Sequence, residues 1–195
     1  MFQQNRFFET IKIEKGRAFH LEYHQNRVNN TFRHFFSEST ILNLKDVIRT
    51  DFDGLTRAKI IYDSNNTEIF YFEYKPKNID SIQLIDCDDI LYNFKFVDRT
   101  AIDALSSSSE ADEIAIFKNG LLCDSSIANI AILIDDVWIS PSKPLLFGTT
   151  LRRYSDLNFI KFGEINKTMM YKAEKIAFLN AMLDFKIYDK LEIVC

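Results

Sequence analysis

Four short turn sequences, each between runs of apolar residues, constrain the fold of this chain more than any other feature. They lie at residues 14–16, 63–66, 119–120 and 135–136. Short runs of β-branched and aromatic residues on both sides of a turn rich in Gly, Asn or Asp predict β-hairpins. The sequence therefore predicts sheets built largely from hairpins, with strands at 7–13, 18–21, 57–62, 68–74, 82–85, 113–117, 127–134, 137–139, 176–179 and 185–188.

Helical periodicity is clearest after residue 21, where Val28, Phe32 and Phe35 recur at helical spacing and predict one long helix. Shorter helices are predicted at 41–48, 100–105, 151–157 and 168–173. We expect the strand at 82–85 to continue the first sheet and the chain to cross into a second domain between Cys87 and Arg99. The sequence thus predicts an α+β fold with a small domain, 1–90, and a larger domain, 91–195.

The composition excludes two classes of partner. A net charge of -4 and a pI near 5.4 give no electrostatic footprint for a nucleic acid, and no local basic stripe stands out in the sequence. No apolar run approaches the roughly 18 residues that cross a bilayer. Three cysteines, Cys87, Cys123 and Cys195, have neither the even number of a disulfide framework nor the close spacing of a zinc site. We therefore expect free thiols, no bound metal and a location in the cytoplasm.

Lys95 is the first candidate for chemistry. Its neighbours in sequence include Tyr92, Phe94 and Phe96. Aromatic neighbours are expected to remove part of the water around the ammonium group, which favours the neutral, nucleophilic amine. Taken alone, the segment is more typical of a solvated lysine on an edge strand.

Asp124 is the second candidate. It follows the turn at 119–120 and precedes two serines, so serine hydroxyls and loop amides are expected to hydrogen-bond a buried carboxylate at this position. Without further context, such an aspartate is more often an Asx-turn or capping residue.

A third set of residues suits a phosphate. Gly148 lets the backbone approach a ligand closely, and Thr149 and Thr150 add hydroxyls and amides at the positive end of a helix. Arg27, three residues after His24, offers a guanidinium for the same anion. Each feature alone is also consistent with an ordinary helix cap or a solvated arginine.

An amine, a carboxylate and a helix N-terminus are the groups that pyridoxal 5′-phosphate needs for its aldehyde, its ring nitrogen and its phosphate. The chain resembles the class IV, or D-amino-acid and branched-chain, aminotransferase family, and within it the aminodeoxychorismate lyase branch. The resemblance is carried by Phe8-Glu-Thr-Ile11 before Gly16, Leu21 with His24-Gln-Asn-Arg27, Lys95 with Arg99, Gly120-Leu-Leu-Cys-Asp124-Ser-Ser-Ile-Ala-Asn129, Gly148-Thr-Thr with Arg152-Arg153, and residues 173–181.

The resemblance implies a role for each candidate. Lys95 bonds the cofactor and then moves a proton, Asp124 faces the ring nitrogen, and the phosphate ligands are Arg27, Gly148, Thr149 and Thr150. It also implies a homodimer, with the cofactor between the small domain and the larger domain that carries the lysine and the phosphate-binding turn. In the lyase branch, 4-amino-4-deoxychorismate becomes pyruvate and 4-aminobenzoate, a folate precursor.

Two alternatives stand beside the lyase. One is a class IV aminotransferase for branched-chain or D-amino acids, although the short chain and the segment 95–99 favour the lyase. The other is a degenerate member that serves as a binding or assembly module. Two features favour a degenerate member: Asp124 stands where the family usually carries glutamate, and the chain starts close to Phe8. The retained Lys95 and Arg27 oppose it.

The substrate contacts are the least defined part of the resemblance. Residues 63–66 stand where relatives often carry an Arg-Gly-rich segment that handles substrate carboxylates. Lys59 and Arg57 are left as candidates for carboxylate contacts.

Overall fold

The structure is a computed structural model that describes residues 5–37 and 39–194. Cys195, one of the three predicted free thiols, lies outside these residues, whereas Cys87 and Cys123 are free cysteines. The chain divides into two compact units. The first comprises Met1–Pro76 with Phe94–Asp98, and the second comprises Lys77–Asn93 with Arg99–Cys195.

The first unit is an antiparallel sheet packed on one long helix. Its elements are β1 (Phe7–Glu14), β2 (Arg17–Ala18), α1 (Leu21–Phe35), α2 (Leu44–Val47), β3 (Thr56–Tyr62) and β4 (Thr67–Glu73). The strands follow the order β2-β1-β3-β4. Strand β1 alternates buried apolar residues toward the helix, as the period-2 pattern of a half-covered strand requires.

The helix and the two predicted hairpins of this unit are confirmed. Val28 and Phe32 of α1 pack with Phe7 and Ile11 of β1 in one apolar cluster. The turn between β3 and β4 forms because Asp63 Oδ1 accepts hydrogen bonds from the backbone N–H groups of two following asparagines. The helix predicted at 41–48 is reduced to the four residues of α2.

Lys95 belongs to the first unit, whereas the predicted boundary after residue 90 groups it with the second domain. The reason is long-range backbone pairing. Phe8 N–H donates to the carbonyl of Lys95 at 2.9 Å, and Val97 N–H donates to the carbonyl of Arg6 at 2.8 Å. The ring of Phe96 also packs 4.9 Å from the ring of Phe7. The segment therefore lies along the edge of β1.

The second unit contains two sheets, with strand orders β10-β9-β8-β11-β12 and β13-β5-β6-β7. They share an apolar core in which Phe117 and Leu122 of one sheet meet Ile130 and Phe178 of the other. The elements are β5 (Ser81–Asp86), α3 (Thr100–Ser107), β6 (Glu113–Lys118), β7 (Leu121–Ser125), β8 (Asn129–Ile134), β9 (Val137–Pro141), α4 (Thr149–Asp156), β10 (Lys161–Gly163), α5 (Lys167–Lys172), β11 (Lys175–Asn180), β12 (Asp184–Tyr188) and β13 (Glu192–Val194).

Two expectations for this unit are corrected. Strand β5 does not continue the first sheet, because it pairs in parallel with β6 and β13. Residues Leu121–Ser125, for which no strand is predicted from the sequence, form strand β7. It returns from β6 through a tight turn in which Asn119 and Gly120 both have positive φ, the geometry that Asn-Gly favours.

Candidate functional site

A fully buried carboxylate lies among the candidate residues of the first unit. Glu9 on β1 is 0% exposed, and it faces two residues that are one turn apart on α1. Arg27 Nε donates to Glu9 Oε1 at 2.8 Å and Arg27 Nη2 donates to Glu9 Oε2 at 2.6 Å. His24 Nδ1 lies 2.6 Å from the same Oε2. The two hydrogen bonds from Arg27 to Glu9 fix the plane of the guanidinium.

The cluster holds a carboxylate anion beside a neutral imidazole. Burial raises the pKa of Glu9, but the charge of Arg27 and the hydrogen bonds from Arg27 and His24 outweigh it and lower that pKa to about 2. Burial lowers the pKa of His24 below its ordinary value of 6.5, against the opposing effect of Glu9. Since Glu9 is ionised at neutral pH, Nδ1 of the neutral His24 carries the hydrogen, and this N–H donates a hydrogen bond to the carboxylate.

Lys95 lies at the edge of the same sheet. Its ammonium nitrogen is 4.7 Å from the centre of the Phe8 ring, a cation–π contact that removes part of its water shell. The side chain is half-buried, as expected from its aromatic neighbours. The charge of Lys95 contributes to the lowered pKa of His24. The structure therefore brings Lys95 and the Arg27 cluster together in one unit.

Asp124 is the penultimate residue of β7 in the second unit and is 5% exposed. Its Oδ1 accepts from the side-chain amide of Asn129 at 2.5 Å, and its Oδ2 accepts from the backbone N–H of Leu146 at 2.9 Å. The hydroxyl of Ser125 instead accepts from Ile127 and Ala128 and closes the turn that follows β7. The expected loop amide is present, and the side-chain donor is the amide of Asn129.

Asn129 also determines the position of the predicted phosphate-binding turn. Its Oδ1 accepts from Gly148 N–H at 3.1 Å, and its Nδ2 donates to the Leu146 carbonyl at 2.7 Å. A Cβ atom on Gly148 would lie 2.3 Å from that Oδ1. Gly148 has an ordinary φ of -66, so space and not backbone conformation requires a glycine here.

The start of α4 fits a phosphate group. Thr149 and Thr150 are the first two helical residues and are 8% and 5% exposed. The first amides of a helix have no acceptor within the helix. The arginines that follow contact other groups: Arg152 lies over the Phe147 ring at 4.2 Å, and Arg153 pairs with Asp184.

Sequence reasoning missed the roles of three residues: Glu9, His24 and Asn129. All three lie within the motifs that carried the resemblance, but their partners are distant in the chain. The available signal was an acidic residue at an inward position of an apolar strand, followed by a helix with His24 and Arg27 on one side.

The described residues contain no group of three or more His, Cys, Asp or Glu side chains arranged to hold a metal ion. None of the helices in residues 5–37 and 39–194 is both long and apolar enough to cross a membrane.

Comparison with known proteins defines the class. The model of the amino-transferase class IV family matches residues 6–185. An uncharacterized protein from Haemophilus influenzae is 34% identical over 181 residues, which are 90% of this chain and 96% of that protein. The chain belongs to the amino-transferase class IV family.

Two solved structures have the same fold. A candidate 4-amino-4-deoxychorismate lyase from Haemophilus somnus is 32% identical, with a TM-score of 0.83 over 93% of this chain and 98% of that one. A hypothetical aminotransferase from Mycobacterium tuberculosis, in its pyridoxal-phosphate-bound form, is 14% identical, with a TM-score of 0.79 over 96% and 81%.

These similarities confirm the family and the α+β fold class. The class IV aminotransferase family depends on pyridoxal 5′-phosphate, so the expected cofactor is confirmed for the family.

Proposed function

We propose that the protein is a pyridoxal-phosphate-dependent lyase that converts 4-amino-4-deoxychorismate to 4-aminobenzoate and pyruvate, a step of folate biosynthesis. The observation that carries the proposal is the similarity to the Haemophilus somnus candidate lyase, at 32% identity over 93% of this chain. Lys95, Arg27 and Asp124, the residues that a lyase needs toward its cofactor, are present in ordered surroundings.

We assign each donor and acceptor to one group of the cofactor by its chemistry. Arg27, with its plane fixed by Glu9, and the turn Gly148–Thr150 bind the phosphate. Asp124 would face the pyridine nitrogen and accept a hydrogen bond from it, next to the hydrogen bonds that it accepts from Asn129 and Leu146. When bound, pyridoxal phosphate supplies an electron sink for the reacting carbon.

Lys95 has two tasks in this proposal. Its Nζ would hold the cofactor until the 4-amino group of the substrate takes its place. The released amine then removes a proton from the substrate ring. The bond between the ring and the enolpyruvyl oxygen breaks, and the leaving group takes up a proton to become pyruvate. The remaining ring is aromatic, and 4-aminobenzoate would leave when Lys95 Nζ takes its place at the cofactor again, so no oxidant and no amino acceptor are needed.

A labelling experiment tests the cofactor site. Purified protein is incubated with pyridoxal phosphate, reduced with borohydride and digested, and the labelled peptide is mapped. We expect the label on Lys95 in the wild type and on no lysine in Lys95→Ala, with the control Lys161→Ala labelled as the wild type is. A labelled and fully active Lys95→Ala variant would refute the assignment.

Product analysis tests the reaction. The lyase releases pyruvate and 4-aminobenzoate in equal amounts from aminodeoxychorismate alone. We expect Lys95→Ala to lose this activity by about 100-fold or more, the usual contribution of a positioned acid–base group. Turnover of an amino acid that occurs only with a keto-acid acceptor would instead identify an aminotransferase.

We also propose a homodimer in the cytoplasm. The family resemblance supports the dimer, and the free thiols Cys87 and Cys123 suit a reducing compartment. Light scattering coupled to size exclusion tests the dimer, which requires a mass twice that of the 22.9 kDa chain.

A further inference from the structure

The face of the first sheet that is opposite α1 carries a group of basic and aromatic side chains. Residues Phe7, Ile11 and Ile60 belong to the cluster packed with α1. Because side chains alternate along a strand, Phe8 and Lys59 point to the opposite face. We call this the second face of the sheet, and it is formed by Phe8, Thr10, Lys12, Arg57, Lys59, Phe70 and Phe72.

Two ammonium groups share one aromatic ring on the second face. Lys95 Nζ is 4.7 Å and Lys59 Nζ is 5.3 Å from the centre of the Phe8 ring. These distances limit the separation of the two nitrogens to about 10 Å. Lys59 thus contacts the same aromatic ring as the proposed reactive amine, and both side chains are half-buried.

The positive charge of the second face is only partly balanced. Lys12 has Glu14 within 3.4 Å. Within residues 5–37 and 39–194, neither Lys59 nor Arg57 has a carboxylate within ion-pair distance, and Arg57 Nε is buried without a hydrogen-bond partner. The Arg57 guanidinium lies over the Phe72 ring at 5.1 Å. Cations held close together repel one another unless an anion joins them, so this face suits an anionic ligand.

We propose that Lys59 is a specificity-determining residue that binds a carboxylate of the substrate next to Lys95, with Arg57 adding to the positive potential. The inference rests on the proposed lyase function and names the group that recognises its substrate. Aminodeoxychorismate carries two carboxylates, and one of them must lie within a few bonds of the amino group that replaces Lys95. An ammonium group beside Lys95 fixes the substrate by that carboxylate and leaves the cofactor contacts to other residues.

The test compares Lys59→Met, which keeps the length of the side chain without its charge, with Lys59→Arg, which keeps the charge. Lys45→Met, at an exposed position on α2, is the matched control. Three quantities are measured on the holoenzyme: KM and kcat for 4-aminobenzoate release, the Kd for pyridoxal phosphate, and the Kd for chorismate by titration calorimetry. Chorismate has both carboxylates but a hydroxyl in place of the 4-amino group, so it reports binding without turnover.

For Lys59→Met we expect KM and the chorismate Kd to rise by about tenfold or more, the effect of one lost charge-assisted hydrogen bond. The pyridoxal phosphate Kd and kcat should change little, Lys59→Arg should recover most of the affinity, and Lys45→Met should match the wild type. Added salt should weaken chorismate binding more for the wild type than for Lys59→Met.

Two results would overturn the inference: an unchanged KM and chorismate Kd in a folded Lys59→Met variant, or a loss confined to pyridoxal phosphate affinity, which would make Lys59 a cofactor ligand. Failure of the lyase proposal gives a different result, because the wild type would then carry the label on Lys95 and release neither product. The chorismate titration still tests Lys59 in that case.

Discussion

The two units hold their candidate carboxylates in different ways. Glu9 in the first unit is fully buried and paired with the cation Arg27 and with His24. Asp124 in the second unit is nearly as buried, but its partners are the neutral amides of Asn129 and Leu146. The first arrangement depends on charge balance, whereas the second depends on the exact space around Gly148. We therefore expect the first unit to respond to changes of charge and the second to changes of volume.

The largest effect is expected from Glu9→Gln. The variant keeps the shape of the side chain but leaves the charge of Arg27 without its buried counter-ion, which should lower the free energy of unfolding by about 3–5 kcal/mol. Urea denaturation measures this loss in the free energy of unfolding. The matched control is Glu68→Gln, which removes the exposed partner of Arg6 and should cost at most about 1 kcal/mol.

Acid denaturation sharpens this result. The pKa of Glu9 is lowered from 4.5 to about 2, so the stability contributed by its charge is present above pH 4.5 and is lost as the pH falls toward 2. Glu9→Gln should lack this contribution. Equal losses for Glu9→Gln and Glu68→Gln would contradict the picture of a buried charge cluster.

An intermediate effect is expected from Gly148→Ala. The added Cβ would lie 2.3 Å from Asn129 Oδ1, so the turn or the amide must move. We expect a loss of about 1–3 kcal/mol in unfolding free energy, typical of overpacking, together with weaker binding of pyridoxal phosphate. Thermal denaturation and a cofactor titration measure the two effects.

Gly54→Ala is the control for Gly148→Ala, since nothing lies within 4 Å of a Cβ atom at Gly54. If Gly148→Ala behaves as Gly54→Ala does, the close contact with Asn129 does not constrain the turn.

The smallest effect is expected on the pH dependence near neutrality. Burial lowers the pKa of His24 below 6.5, so the unfolded chain binds a proton that the folded chain excludes. Stability therefore falls as the pH drops below 6.5, by at most about 1.4 kcal/mol per pH unit for one proton. His24→Gln should remove this slope, and His34→Gln, at an exposed position of the same helix, should keep it. A slope that persists in His24→Gln would assign the proton to another group.

The elements that depend on local sequence were predictable. The periodicity of Val28 and Phe32 gave α1, and the asparagines after Asp63 gave the hairpin turn. Strand β5 was assigned to the wrong sheet because its parallel partners, β6 and β13, are far away in the chain and leave no turn between them. Strand β7 was missed because its residues resemble a loop until they pair with β6.

The sequence by itself determined the residue types of the candidate site, because an amine, a carboxylate and a Gly-Thr-Thr turn can be recognised without their surroundings. Only the tertiary structure decided which groups meet. It placed Lys95 against β1, paired Glu9 with Arg27 and His24, and put Asn129 between Asp124 and Gly148. These contacts join residues that are distant in the chain. Burial and electrostatic pairing depend on distance in space, and no local pattern encodes that distance.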